Sequence, residues 1–257
     1  MNNLQEYLKL GIEALERAIP VLESYQGDAG VRLCEGRDIK TQADESVGHI
    51  LESALAESGL PVLSEESLAS HACAKEGAFW IIDPIDGTMN FVRGFPIYAI
   101  SVALCVEGNP VLGIIYDALQ KRIYSGGLEQ GAHMNGQPFE CSDVKSVNQG
   151  ILATGFPVGR DFSQQALSGF IGFAAEFKKV RMLGSAAMSL AYVADGTLDY
   201  YCEEDIWLWD VAAGIALVKA AGGQVSVTRR KQDLRVTVLA GAPGVFAEAS
   251  DLFERFL

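Results

Sequence analysis

Histidine is scarce in this chain: His49, His71 and His133 are the whole supply. A His-rich metal site is therefore a poor expectation, and none of the three has the motif context of a Ser–His pair; no Gly-x-Ser-x-Gly elbow occurs either. Cysteine is sparse as well. Cys34, Cys73, Cys105, Cys141 and Cys202 make an odd count, with no Cys-x-x-Cys pair and mostly apolar neighbours. That pattern argues against a disulfide framework or a zinc site and points to reduced thiols in a cytoplasm. Positive charge is short, with 20 basic against 33 acidic residues and a net charge of -13. Phosphate backbones and anionic lipid repel such a surface, which disfavours nucleic-acid and membrane-surface binding. No uncharged apolar stretch is long enough for a membrane span, and the opening MNNLQEYLKLGIEALERAIPVL lacks the basic start and apolar run of a signal peptide.

What is present fits a soluble globular protein. The 257 residues are 49% hydrophobic and 21% charged, close to the average for such proteins. The length lies between one domain and two, and a chain of this size buries on the order of 70% of its unfolded surface. A solvated acidic surface accounts for most of the negative excess, but carboxylates clustered to hold cations would contribute to it too.

Leu4, Leu8, Ile12 and Leu15 recur at helical spacing, predicting an amphipathic helix over 3–24. Val47, Ile50, Leu51, Ala54 and Leu55 predict a second, ended by Gly59 and Pro61. Residues 77–82 read as a buried strand bounded by Asp83-Pro84. Residues 97–106 and 111–116 flank a Gly108-Asn109-Pro110 turn, 122–125 add a strand, and Asn135-Gly136 marks another turn. Further on, strands are expected at 151–154, 180–183, 198–202, 224–228 and 236–239. Helices are expected at 164–178, 185–194 and 210–221, and Pro243 opens a last one. The expected fold is α+β, a layered αβαβα sandwich. Helices and an antiparallel sheet fill residues 1–145, a smaller α/β unit fills residues 146–257, and a site lies between them.

Four acidic segments carry the chemistry: Asp38-Ile-Lys-Thr41-Gln-Ala-Asp44 before the second helix, Ser64-Glu65-Glu66-Ser67 in the loop after it, Asp83-Pro-Ile-Asp86-Gly87-Thr88 after the buried strand, and Trp209-Asp210 at a helix start. In the third, Pro84 stops a central strand, and Asp83 and Asp86 can converge above its end. A short helix over 88–92 would leave the Gly87 and Thr88 N–H groups unpaired, as in an anion site. Carboxylates beside a phosphate repel it unless divalent cations lie between, and hard oxygen donors favour Mg²⁺. Alone, an Asx turn capping a helix explains the segment equally well. The spacing fits neither an EF-hand loop nor the Asp-x-Asp-x-Thr of haloacid-dehalogenase phosphatases.

Together the four segments resemble the signatures of the inositol monophosphatase family, in family order and spacing. Asp83-Pro-Ile-Asp86-Gly87-Thr88 follows Trp80-Ile-Ile and precedes Asn90-Phe91, and Trp209-Asp210-Val-Ala-Ala-Gly214 comes some 120 residues later. The resemblance covers essentially the whole chain. It implies that Glu65 and Asp83, with the Ile85 carbonyl, hold one Mg²⁺, and that Asp83, Asp86 and Asp210 hold a second. A weaker third ion would involve Glu65. Asp44 and Thr88 would orient or deprotonate the attacking water, and Gly87 and Thr88 would bind phosphate. Gly184, Ser185 and Ala186 would contact substrate, together with Asp86 and Asp210. Glu203, seven residues before Asp210, would accept hydrogen bonds from substrate hydroxyls. Lithium sensitivity and a homodimer are implied by the same analogy.

The implied activity is hydrolysis of a small polyol or sugar-like phosphate, inositol monophosphate first, without a covalent intermediate. Histidinol phosphate, fructose 1,6-bisphosphate and a nucleotide 3'-phosphate are alternatives; Asn90 and Glu203 lean toward the inositol type. A catalytically silent interaction protein is a remote one, because every ligand position is filled. Phosphate monoester hydrolysis needs more than about 20 kcal/mol of barrier lowering. One acid–base residue contributes roughly 10²–10⁴-fold, so metal electrostatics must supply much of the rest. Ser64 and Met89 depart from the commoner Gly and Thr of the family. Asp38 reads as a turn or cap residue, Glu66 and Glu204 as solvated or supporting, Trp80, Trp207 and Trp209 as packing beside the site, and Arg229-Arg230-Lys231 as a solvated turn.

Overall fold

The computed structural model describes residues 2–27, 30–35, 38–66, 77–156, 161–229 and 233–256; of residues 2, 32–35 and 38–39 it describes the backbone alone. Ser67, His71, Cys73, Arg230 and Lys231 lie outside the described residues, as do the side chains of Cys34 and Asp38.

The outer layer is α1 (Asn2–Ser24) and α2 (Gln42–Leu55). Leu8, Leu15, Ala18 and Leu22 of α1, and Val47, Leu51 and Leu55 of α2, are buried against one face of a seven-stranded sheet. That sheet runs β3 (Val62–Ser64), β4 (Ala78–Asp86), β5 (Ala99–Val106), β6 (Asn109–Asp117), β7 (Arg122–Gly127), β8 (Gly131–Met134) and β9 (Gln137–Pro138), in sequence order. Its strands pair antiparallel except β3, which is parallel to β4. Along β5 every residue from Ala99 to Cys105 is buried, as a strand covered on both faces requires.

The third layer is α5 (Ala186–Ala194) and α6 (Leu208–Ala220). Helix α6 is buried over residues 211–218, which the apolar run there predicts. The fourth layer is a five-stranded sheet in the order β11-β10-β12-β14-β13. It is built from β10 (Ile151–Thr154), β11 (Lys179–Arg181), β12 (Tyr200–Trp207), β13 (Gln224–Arg229) and β14 (Arg235–Gly241). β10 is parallel to β11 and β12; β14 pairs antiparallel with β12 and β13. The last layer, α4 (Gln164–Ala175) and α7 (Phe246–Phe256), covers its outer face through Phe170, Phe173 and Phe253. The order helix, sheet, helix, sheet, helix is the expected αβαβα sandwich.

Several boundaries differ from expectation. A hairpin of β1 (Val31–Glu35) and β2 (Asp38–Thr41) precedes α2; its short strands lack a clear alternation. β4 runs through Pro84 to Asp86 instead of stopping at Asp83. β3 pairs only with Trp80–Ile82, and the β4–β5 register shifts between Asp83 and Asp86. Pro84 therefore sits in a bulge beyond the reach of β3, where its missing N–H costs no ladder bond. Helix α2 starts at Gln42, so Asp44 lies in its first turn rather than ahead of it; α6 starts two residues earlier than expected, at Leu208, and keeps Asp210 in its first turn. Helix α4 stops at Ala175, α7 starts at Phe246, and β12 is shifted to Tyr200–Trp207. Trp80 is not beside the acidic residues. It faces α1, edge-on to Tyr7 at 6.1 Å, and donates its ring N–H to Ser58 at 3.0 Å.

Gly214 lies one turn beyond Asp210 on α6. A Cβ there would overlap the Cβ of Leu190 on α5, so the glycine sets the α5–α6 approach. Gly214→Ala gains helix propensity, but the overlap is buried and dominates. The expected loss is about 1–3 kcal/mol of stability, read by urea unfolding; an unchanged midpoint would show that α5 can yield.

Candidate active site

Glu65, Asp83 and Asp210 come from three elements: the turn after β3, the bulged end of β4, and the first turn of α6. One carboxylate oxygen of each lies within 4.8 Å of the others. The backbone explains the convergence. Glu65 N donates to the Ile82 carbonyl at 3.3 Å, tying the turn to β4. Ser101, opposite Asp83 on β5, donates to the Trp209 carbonyl at 3.4 Å, which anchors the start of α6. Ile85 N donates to Asp83 Oδ1 at 3.0 Å, closing the bulge.

The cluster is electrostatically unsettled. Burial pushes Glu65 up to about 8, with Glu66 and Asp44 adding repulsion and a hydrogen bond with Asp83 offsetting part of it. Burial also raises Asp83 well above the usual carboxylate range, reinforced by Glu65, Asp86, Asp210 and Asp44. Asp210 is raised by burial, then by Asp86, Glu65 and Glu203. Lys40 is paired with Glu66 at 2.9 Å and offsets the rise of Glu65 only in part. Carboxylates in this state need protons or a cation between them, and an all-oxygen donor set fits a hard divalent ion.

Asp44 and Thr88 form a second group. Thr41 caps α2 in a capping box: its backbone N–H and hydroxyl donate to Asp44 Oδ2 at 2.9 and 2.5 Å, and Asp44 N donates to Thr41 Oγ1 at 3.3 Å. The other oxygen, Oδ1, accepts from the Thr88 hydroxyl at 3.4 Å; that hydroxyl also donates to the Ile85 carbonyl at 2.9 Å. Burial raises Asp44 to about 6 against the lowering effect of the Thr41 bonds.

Asp86 faces a different way. It accepts from the Ser185 hydroxyl, from Ala186 N at 3.3 Å and from Ala187 N at 2.9 Å, the first donors of α5. It is thus tied to the N-terminus of that helix, and burial raises it to about 6 against those bonds. It is not one of the three close carboxylates, although its charge reaches both Asp83 and Asp210. Gly87, at φ 91°, opens the single-turn helix α3 (Thr88–Val92). A Cβ there would crowd the carbonyls of Gly184 and Ile97 at 3.0 and 3.1 Å. Asn90 holds this junction, donating to the Ile97 carbonyl at 2.7 Å and the Leu183 carbonyl at 2.8 Å.

A cleft of about 310 Å³ adjoins the cluster, lined in part by Asp86, Gly184, Ser185, Ala186, Glu203 and Asp210. Tyr201 donates to Glu203 Oε2 at 2.9 Å. Asp210 belongs to cluster and cleft alike, so acidic groups from both halves of the chain meet there.

This arrangement of motifs and folds is a known one, and the chain matches the inositol monophosphatase family across residues 3–255. The chain belongs to that family. It is 33% identical over 241 residues, 90% of this chain and 83% of its relative, to an inositol-1-monophosphatase of Mycobacterium bovis. It is 35% identical over 187 residues, 72% of this chain and 70% of its relative, to the Nus factor SuhB of Salmonella typhimurium. The solved inositol monophosphatase of Anabaena superposes with a TM-score of 0.84 at 29% identity, over 99% of this chain and 98% of that one. Membership in the inositol monophosphatase family supports phosphatase chemistry. Among the described residues no helix is long and apolar enough to cross a membrane.

Sequence reasoning did not find the Asp86–Ser185 contact, the Lys40–Glu66 pair or the Asn90 clamp. These join residues 99, 26 and 93 positions apart, and pattern alone carries no such information. The capping box at Thr41-x-x-Asp44 is a local signal of the helix start, which apolar periodicity alone puts after Asp44.

Proposed function

We propose that this chain is a Mg²⁺-dependent phosphate monoester hydrolase acting on a small polyol or sugar-like phosphate, with inositol monophosphate the first candidate. The observation that carries the reading is the Glu65–Asp83–Asp210 cluster, within 4.8 Å, at a cleft that also contains Glu203. Glu65, Asp83, the Ile85 carbonyl, Asp86 and Asp210 would hold two Mg²⁺, with a weaker third near Glu65. Bound there, the ions would supply Lewis-acid stabilisation of the charge that builds on the phosphoryl and leaving oxygens.

The remaining steps belong to the chain. Asp44, through the Thr88 hydroxyl, orients the attacking water and takes its proton. A base raised to about 6 is ionised at neutral pH and still basic enough for that transfer. The Gly87 and Thr88 amides receive the phosphate, with Gly184, Ser185 and Ala186 against the substrate. Glu203, oriented by Tyr201, accepts from hydroxyls of the leaving alcohol. Direct attack by water needs no covalent intermediate. Residues 1–145 and 146–257 act as two units of one site, in a cytoplasmic homodimer, with no nucleic acid or membrane as partner. The name of the Salmonella relative favours a second reading, a protein-interaction role beside or in place of hydrolysis.

Phosphate release from inositol 1-phosphate, histidinol phosphate, fructose 1,6-bisphosphate and adenosine 3',5'-bisphosphate tests the proposal, with Mg²⁺, with chelator and with added Li⁺. Chelator- and Li⁺-sensitive release, strongest for the inositol ester, is expected. A different preferred ester would redirect the substrate; no release from any of them would favour the interaction reading.

A further inference from the structure

Strand β12 is irregular where it borders the cleft. Glu203 pairs with Val238 and Ile206 with Val236 on β14, so Glu204 and Asp205 together oppose one residue. This is a bulge, a device that re-aims side chains next to functional sites. Asp205 adopts φ 58°, a left-handed conformation that non-glycine residues take at a cost. Something must hold it there. The Arg235 guanidinium meets Asp205 Oδ2 through Nη1 at 3.1 Å, with the Asp205 side chain 9% exposed. Arg235 is itself fixed from behind: its Nε donates to Asp233 Oδ2 at 3.1 Å and its backbone N–H to Asp233 Oδ1 at 2.9 Å. Its guanidinium carbon lies 4.8 Å from the ring centre of Trp207, its cross-strand partner, and Trp207 stacks on Trp209 at 4.6 Å and 12°. Arg235 thus touches the bulge at Asp205 and the strand just beyond it at Trp207, which packs on the residue before Asp210. Lysine could keep the charge but not the planar stack with its fixed donor fork.

We propose that Arg235, which lines the cleft beside Asp205 and Trp207, is a positioning residue for its leaving-group side: it locks the β12 bulge and thereby fixes the direction in which Glu203 points. This rests on the hydrolase reading for its kinetic consequence, and on the bulge geometry alone for its structural one.

The test compares Arg235→Ala, Arg235→Lys and Glu203→Gln on inositol 1-phosphate and on p-nitrophenyl phosphate, whose leaving group offers no hydroxyls to Glu203. Arg235→Ala should raise KM for the inositol ester roughly tenfold, the scale of one misdirected charged hydrogen bond. Its kcat should move much less, and KM for the nitrophenyl ester should hardly change. Arg235→Lys should lie between it and wild type. Combined with Glu203→Gln, Arg235→Ala should add little, since both act on one contact. Additive effects, or an equal fall in kcat on both esters, would overturn the assignment. Hydrogen exchange supplies a readout independent of activity: the amides of residues 204–207 should exchange at least about tenfold faster in Arg235→Ala, while those of β5 do not change. Unaltered exchange at the bulge refutes the lock. If wild type cleaves neither ester, the hydrolase reading fails, and exchange alone still decides whether Arg235 holds the bulge.

Discussion

Asp83→Asn is expected to reduce phosphate release by roughly 10²–10³-fold or more, the scale seen when one preorganised electrostatic partner is removed from a transition state, without destabilising the metal-free protein. The two halves of that expectation come from the same geometry. Asp83 stands between Glu65 and Asp210, and its carboxylate is opposed by burial and by four neighbouring acids. Asparagine is nearly isosteric and keeps the Oδ1 acceptor that Ile85 N uses at 3.0 Å, so the bulge survives. What is lost is the central negative charge, and with it the capacity to hold a divalent cation. Thermal melts in chelator should therefore place the variant at or above wild type at pH 8, and added Mg²⁺ should raise its Tm much less than that of wild type. A variant that melts far below wild type in chelator would mean that Asp83 serves the fold first. A variant that retains activity would remove the cluster from the chemistry.

Segments whose information is local were readable from sequence. Helix α6 announces itself by an apolar run with no polar face, and that run makes it a buried post that holds Asp210 still. Thr41 and Asp44 also carry a local signal, the reciprocal bonds of a capping box, although apolar periodicity alone puts the helix start after Asp44. The acidic segments were visible because their residue types and spacing resemble a family. Long-range pairing was not readable. Nothing in the sequence of β4 shows that β3 stops at Ser64, and without that fact Pro84 reads as the end of a strand instead of part of a bulge. Asp86 illustrates the same gap. Its place in the motif marks it as acidic and near a turn, but only the fold brings the first turn of α5 to both its oxygens. The role of Arg235 was equally hidden, because its partners on β12 are set by sheet register across 30 residues.

The stability of the metal-free protein should fall as pH rises from about 5 to about 8, and Mg²⁺ should abolish most of that fall. Asp44 and Asp86 are raised to about 6 from 3.8, Glu65 to about 8 from 4.5, and Asp83 and Asp210 are raised with them. Between the unfolded and folded values the folded chain binds more protons than the unfolded one, so unfolding releases protons and a rise in pH favours it. The contribution of these groups is fully present below their unfolded pKa values and is lost as pH climbs through the folded ones. Each group that loses its proton in this window changes stability by at most about 1.4 kcal/mol per pH unit. A divalent ion reverses the balance, because it binds the deprotonated carboxylates and replaces the protons. The Tm gain from a fixed, saturating Mg²⁺ concentration should accordingly be small near pH 5.5 and large near pH 8, with the steepest change between pH 6 and 8. Scanning calorimetry at matched ionic strength, with Mg²⁺ and with chelator, measures it. In Asp83→Asn both the fall without metal and the gain with metal should shrink together, since one carboxylate contributes to both. A gain independent of pH would place Mg²⁺ binding on ordinary surface carboxylates, away from the buried cluster.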